Sequence, residues 1–255
     1  MLSIIKKASS ILSVEKAFII LDLLGINNKP MSLGEISKEL KFPKSTAYGL
    51  LATMCKMKFV EQLSSGDYAL GVRLFELGSI ILNNWDFRAV AGPHIDKLLK
   101  DLQETIQLAV LSDGEVLYID KRECHQSLRV VSEIGTRLPA HCTSLGKVLL
   151  SSLSRNQVER ILNEKGLRRY TKNTITKPDL LEKELNKVRF QGYAIDDEEF
   201  MEGLYCVAAP IADLRGLIVA AISISGPVGR LSGKKIEDAI LLVKETADKI
   251  SASIR

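Results

Sequence analysis

The chain is poor in cysteine. Its four, Cys55, Cys124, Cys142 and Cys206, stand far apart with no C-x-x-C pair, which argues against a zinc ribbon and against a disulfide framework and predicts reduced thiols. Histidine is scarcer still: there are three in 255 residues, with no catalytic arrangement among them. No G-x-S-x-G elbow, P-loop or Rossmann fingerprint appears, so the common nucleophile and phosphate-binding signatures of enzymes are missing. No cofactor is expected. The longest apolar run, Leu217 to Ile222 continuing into Ser223 and Ile224, is broken by hydroxyls and too short to span a bilayer. The opening residues, MLSIIKKASSILSVEK, lack the order of a secretory signal. A cytoplasmic protein that does not enter the membrane is expected. There is no internal repeat and no low-complexity tract.

What is present is an ordinary globular composition, 46% hydrophobic and 26% charged, at a length that favours two compact units. The net charge of +4 is unevenly spread: residues 1–70 hold nine lysines against six carboxylates. That excess sits where a nucleic-acid contact would use it.

The spacing of Val14, Ala17, Phe18, Leu21 and Leu24 predicts a first helix with Ser13 as its N-cap. Ser32-Leu33-Gly34-Glu35 reads as a capping box that opens a second helix. After the break at Lys41-Phe42-Pro43, a third helix places Ala47, Leu50, Leu51 and Met54 on one face and leaves Lys44, Ser45, Thr46, Tyr48 and Gly49 on the other. Two short helices around a tight turn are helix-turn-helix geometry. Phe59–Leu63 and Tyr68–Leu70, flanking Ser64-Ser65-Gly66-Asp67, read as a hairpin and would form a wing.

The domain reading is a winged helix-turn-helix over 1–71, a linker helix over 72–92, and an effector-binding domain over 93–255. Pro93 is expected to open a new helix. Beyond it, strands are predicted at 105–111, 115–121, 128–133, 192–195, 204–211 and 217–224. Helices are predicted at 144–152, 154–164 and 178–190, and from Ser232 onward. The fold class is α+β, with a C-terminal antiparallel sheet covered by helices.

Five stretches, in order, resemble the IclR-type bacterial regulators: Ser13-Val14-Glu15-Lys16-Ala17, Pro43-Lys44-Ser45-Thr46, Leu138 to Lys147 (LPAHCTSLGK), Gly192 to Glu199 (GYAIDDEE), and Ala221 to Pro227 (AISISGP). The resemblance implies a GAF-like effector domain, dimers often paired into tetramers, a roughly palindromic double-stranded operator, and repression or activation of a catabolic or metabolic operon. Such proteins often carry a basic residue after the aromatic or histidine of the recognition helix. Tyr48-Gly49 stands there instead, so the operator sequence does not carry over.

Ser45, Thr46 and Tyr48 are the candidates for reading base edges, and Lys44 can reach a guanine or a phosphate. Tyr48 can equally be a packing residue. Ser32 and Gly49 complete the expected DNA-facing set. The family's ligand positions map onto Ser144 and Leu145, with Asp196, Cys206, Ser223 and Ser225 opposite and Val130 and Leu138 along the wall. The start of the helix at Ser144, Leu145 and Gly146 offers unpaired N–H groups and a positive dipole end, suited to the carboxylate of a small organic acid. The run Asp196-Asp197-Glu198-Glu199 reads as a solvated turn with at most one member facing the site. The competing readings are an enzyme acting on a small metabolite, a thiol redox sensor using Cys142 or Cys206, and a metal site built from His141, Cys142, Cys206 and Asp196, whose spacing carries no zinc signature.

Overall fold

The computed structural model describes residues 11–84, 86–123 and 133–254, with side chains outside 81–88. Two compact units divide the chain between Trp85 and Asp86. The first contains α1 (Leu12–Asn27), α2 (Leu33–Glu39), α3 (Lys44–Lys56), β1 (Val60–Gln62), β2 (Tyr68–Leu70) and α4 (Val72–Asn84).

Helix α1 starts two residues earlier than expected. Ile11 is its N-cap with no side-chain bond, because the Ile11 carbonyl already accepts from the Val14 and Glu15 amides and draws Ser13 into the helix. Its buried face agrees with expectation at Leu24, with Ala17 and Leu21 packed beside it, and differs at three positions: Ile20 enters the core, while Val14 and Phe18 stay exposed. The helix is apolar nearly all round, so periodicity alone could not choose the face. The capping box at α2 forms as expected. The Ser32 hydroxyl accepts from the Glu35 amide, and the Glu35 carboxylate accepts from the Ser32 amide at 2.7 Å. Ile36, Leu51, Met54, Val60 and Tyr68 complete this unit's core. Reciprocal backbone bonds between Met31 and Tyr68 (2.8 and 2.9 Å) tie the start of α2 to the β1–β2 hairpin.

The second unit contains α5 (Asp86–Leu102), β3 (Thr105–Ser112), β4 (Glu115–Arg122), β5 (Arg137–Pro139), α6 (Ser144–Ser151), α7 (Arg155–Lys165), α8 (Pro178–Gln191), β6 (Ala194–Asp197), β7 (Leu204–Ala212), β8 (Ile218–Pro227) and α9 (Lys234–Ser253). Pro93 does not open a helix but lies inside α5, where it forgoes one amide bond to Ala89. The residues read as a single linker helix are shared between α4 and α5. The strand expected over 128–133 lies outside the described residues except for Glu133, which is in no strand.

Six antiparallel strands form one sheet in the order β5-β4-β3-β8-β7-β6. Residues directly opposite in such a sheet share a face. One face therefore carries Ala109 beside Ala221, then Gln107 beside Ser223 and Ala208. The next row is Thr105, Ser225, Cys206 and Asp196. The alanines leave room for α6, which packs against them with all eight of its residues buried. The opposite face, with Leu108, Ile222, Ile224 and Val207, is covered by α5 and α9.

Helix α6 approaches its own preceding segment closely. A Cβ at Gly146 would stand 2.2 Å from the Ala140 carbonyl oxygen and 2.3 Å from its Cα, contacts that only backbone movement can relieve. Gly146→Ala is expected to destabilise the second unit by about 1–3 kcal/mol or more. Denaturant unfolding followed by circular dichroism checks this, and an unchanged midpoint would show that the approach is looser than described.

Candidate functional site

The sheet rows and the start of α6 enclose a cavity. Leu138, Ser144 and Leu145 form one side, and Asp196, Cys206, Ser223 and Ser225 form the other. Seven of the nine positions expected for the effector therefore converge. Val130 lies outside the described residues. Gly146 does not reach the cavity: it is turned against Ala140, and its amide donates to the Thr143 hydroxyl at 3.2 Å. Thr143 caps α6 and also donates to the Pro139 carbonyl at 2.9 Å, which fixes β5 against the helix. The Ser144 and Leu145 amides are left as the open donors of the first turn.

Gln107, Tyr118, Phe200 and Leu204 also line the cavity, and none of the four was expected from the sequence. Gln107 Oε1 accepts from both Ser225 (2.9 Å) and Ser223 (3.3 Å). The two serines thus share one acceptor across the β3–β8 pair. No short motif announces Gln107, but its register opposite Ser223 does, once the strand pairing is known.

Asp196 is 1% exposed, and its Oδ1 accepts from the Glu199 amide at 2.8 Å. Burial pushes its carboxyl up to about 7, against the pull of that hydrogen bond. The acidic run is not wholly a solvated turn. Asp196 faces the cavity, and Glu199 is buried behind it in an ion pair with Lys147. Lys147 is itself 1% exposed, with Glu184 3.6 Å away on its other side. Lys147 is therefore a second positive group near the cavity, besides the N-terminus of α6. The turn carrying these carboxylates is clamped by the segment before α8: Thr171 donates to the Glu198 carbonyl (2.6 Å) and Thr174 to the Glu199 carbonyl (2.7 Å).

Burial raises the Cys206 and Cys142 thiols well above their usual range, which opposes the thiolate that a redox sensor needs. Burial also pushes His141 down. Its Nε2 lies 3.0 Å from the Arg168 carbonyl, which can only accept, so Nε2 carries the proton. Among the described residues no group of three His, Cys, Asp or Glu side chains is placed to hold a metal.

In the first unit, Lys44, Ser45, Tyr48 and Gly49 lie on the open face of α3, and Thr46 is half-buried. Tyr48 is 58% exposed, which removes the packing reading. The N-cap of α3 is Pro43, with no side-chain bond, so the amides of its first turn are free to meet a phosphate. The Ser32 hydroxyl is already engaged with Glu35 at 2.7 Å.

The model for the IclR helix-turn-helix domain matches residues 13–64, and that for the bacterial transcriptional regulator IclR C-terminal matches residues 80–252. The chain belongs to the IclR family of bacterial transcriptional regulators. It is 37% identical over 250 residues to the HTH-type transcriptional regulator KdgR of Escherichia coli, covering 98% of this chain and 95% of KdgR. The crystal structure of Thermotoga maritima IclR aligns with a TM-score of 0.78 at 34% identity, over 95% of this chain and 98% of that one. An IclR homologue from Microbacterium hydrocarbonoxydans, complexed with 4-hydroxybenzoate, aligns with a TM-score of 0.85 at 27% identity, over 95% and 99% of the two chains. As a member of the IclR family the chain is a DNA-binding regulator of transcription and not an enzyme. Among the described residues no helix is long and apolar enough to cross a membrane.

The Asp196 carboxyl sets a pH dependence. Its folded value of about 7 lies above the ordinary 3.8, so the folded state holds the proton more tightly. That contribution to stability is complete below about pH 4 and is lost as pH rises through about 7. Asp196→Asn keeps an Oδ1 acceptor for the Glu199 amide and removes the ionisation. Relative to the natural chain, it is expected to gain on the order of 1–2 kcal/mol between about pH 5 and about pH 8. Chemical denaturation at both pH values measures it, and equal slopes for the two proteins would mean that Asp196 ionises as a surface carboxylate does.

Proposed function

We propose that this chain represses or activates a catabolic or metabolic operon in the cytoplasm, as a dimer or tetramer on a roughly palindromic operator, under the control of a small organic acid held in the C-terminal cavity. The observation that carries the reading is the convergence of the open Ser144 and Leu145 amides on the row formed by Asp196, Cys206 and Ser225. Apolar walls with a few convergent polar groups suit a small metabolite. The 4-hydroxybenzoate bound to the Microbacterium relative supports a carboxylate. The acid's charge would lie on the two amides, and Asp196 would take up a proton and donate to the ligand in place of repelling it. The cavity, about 10 Å³ in volume, has room for about one water. An acid therefore enters only if the walls move outward, which we assign to Phe200, in the turn between β6 and β7, and Leu204, at the start of β7. Such a shift gives the ligand its differential affinity for two states.

DNA contact is assigned to the open face of α3, with Ser45, Thr46 and Tyr48 at base edges, Lys44 at a guanine or phosphate, and Gly49 and the neighbourhood of Ser32 close to the backbone. One recognition helix reads too few bases for a specific site, and two-fold repetition lengthens it. The exposed apolar side chains of α1, Val14 and Phe18, with Met57 beside them, suit contact with a second copy.

Lys44→Ala is expected to weaken operator binding and to lower the salt slope by about 1 if the lysine meets a phosphate. Fluorescence anisotropy across a salt series measures this. Unaltered affinity for specific DNA after combined replacement of Lys44, Ser45 and Thr46 would sink the recognition-helix assignment, and a footprint with a single unrepeated half-site would sink the dimer.

For the effector, calorimetry over small acids, their amides and amines is expected to select acids, with affinity rising as pH falls through about 7. The bound acid should change DNA affinity by about 1–3 kcal/mol. Amides binding as well as acids would remove the anion argument. A natural response from the Asp196→Ala, Ser223→Ala double variant would remove the site.

A further inference from the structure

A second cavity, of about 240 Å³, opens between α7, the start of β4 and the segment joining β5 to α6. It is larger as it stands than the first, and its floor is apolar: Leu150, Ile161, Leu162 and Ala140 line it. The sheet side is brought close by Gly114, with φ +76°, where a Cβ would stand 2.8 Å from Ile161 Cγ2. Any side chain at this turn would push into Ile161 and close the space.

The rim is charged, and its charges do not cancel. Lys165 is matched by Glu115 at 3.1 Å. Arg168, with its guanidinium 5.5 Å from the Tyr170 ring centroid, meets no carboxylate within ion-pair distance among the described residues. His141, also on the wall, is held neutral by burial. One cation is thus left over above an apolar floor flanked by the Tyr170 ring, an arrangement that favours a small anion with a flat apolar body.

We propose that this cavity is a second ligand site, separate from the effector cavity, for a small aromatic carboxylate whose carboxylate meets Arg168 and whose ring lies over Ile161 and Leu162. The two cavities are linked by one ring pair: the Tyr170 ring, on the wall of the second, packs on that of Phe200, with centroids 5.2 Å apart, and Phe200 lines the first. A ligand in one therefore restricts the ring that must move to open the other.

Benzoate, phenylacetate and 4-hydroxybenzoate are the probes, titrated into the full chain with labelled isoleucine and leucine methyls. At least one of them is expected to give saturable shifts, and ring-to-methyl nuclear Overhauser contacts, at Ile161 and Leu162. Arg168→Gln, a change at an exposed side chain, is expected to weaken that binding about tenfold, and benzamide should not bind there. Contacts confined to Leu138, Leu145 and Leu204 would place the acid in the first cavity alone and overturn the second site while leaving the first intact. The second site is also overturned if none of the three probes contacts Ile161 or Leu162, or if Arg168→Gln binds as the natural chain does.

Discussion

The second unit is organised around a lysine with no access to water. Helix α6 is buried along its whole length, including the polar side that carries Ser144, Lys147 and Ser151. An unpaired ammonium there would cost far more than the helix gains by packing, so carboxylates must be brought inside to meet it. Glu184 comes from α8, and Glu199 from the turn after β6. Supplying Glu199 fixes that turn, and fixing the turn brings Phe200 and Asp196 to the cavity wall. Thr171 and Thr174 hold its carbonyls in place. The cavity thus follows from neutralising one buried charge.

That arrangement leaves an imbalance. Lys147 faces Glu199 and Glu184, with Asp196 close by. One Glu199 oxygen is buried with no hydrogen-bond partner among the described residues, and burial raises both the Asp196 and Glu199 carboxyls. The interior has more carboxylate than it can hold ionised, so protonation relieves it. Asp196, on the cavity side, is the group whose release of charge is felt by a ligand.

Local chemistry made much of this legible. The capping box, the turn before α3 and the β1–β2 hairpin follow from residue types a few positions apart, and seven of the effector positions meet as the family resemblance implied. What was not legible depends on pairing across the chain. Gln107 becomes a site residue only through its register opposite Ser223, 116 positions away. Lys147 reads as an ordinary helix lysine until the helix is found to be buried on every side. Phe18 and Val14 sit outside the core because α1 offers two apolar faces and the neighbouring helices choose between them. Gly146 reads as a ligand-facing amide until its approach to Ala140 shows what the glycine is for.

The clamp on the turn after β6 bears on how a signal would be generated. Widening the first cavity means moving Phe200, whose neighbour Glu199 is tied to Lys147 by its side chain and to Thr174 by its carbonyl. A small displacement stretches both bonds without reaching a new minimum, whereas a larger one exchanges them for contacts with the ligand. Packed interiors respond to such demands by switching between discrete arrangements rather than by yielding gradually. Two arrangements with different affinity for the acid are what linkage to a distant site requires. The buried ion pair that builds the cavity is therefore also what resists its opening. Its strength sets how much of the acid's binding energy is spent on the change of state.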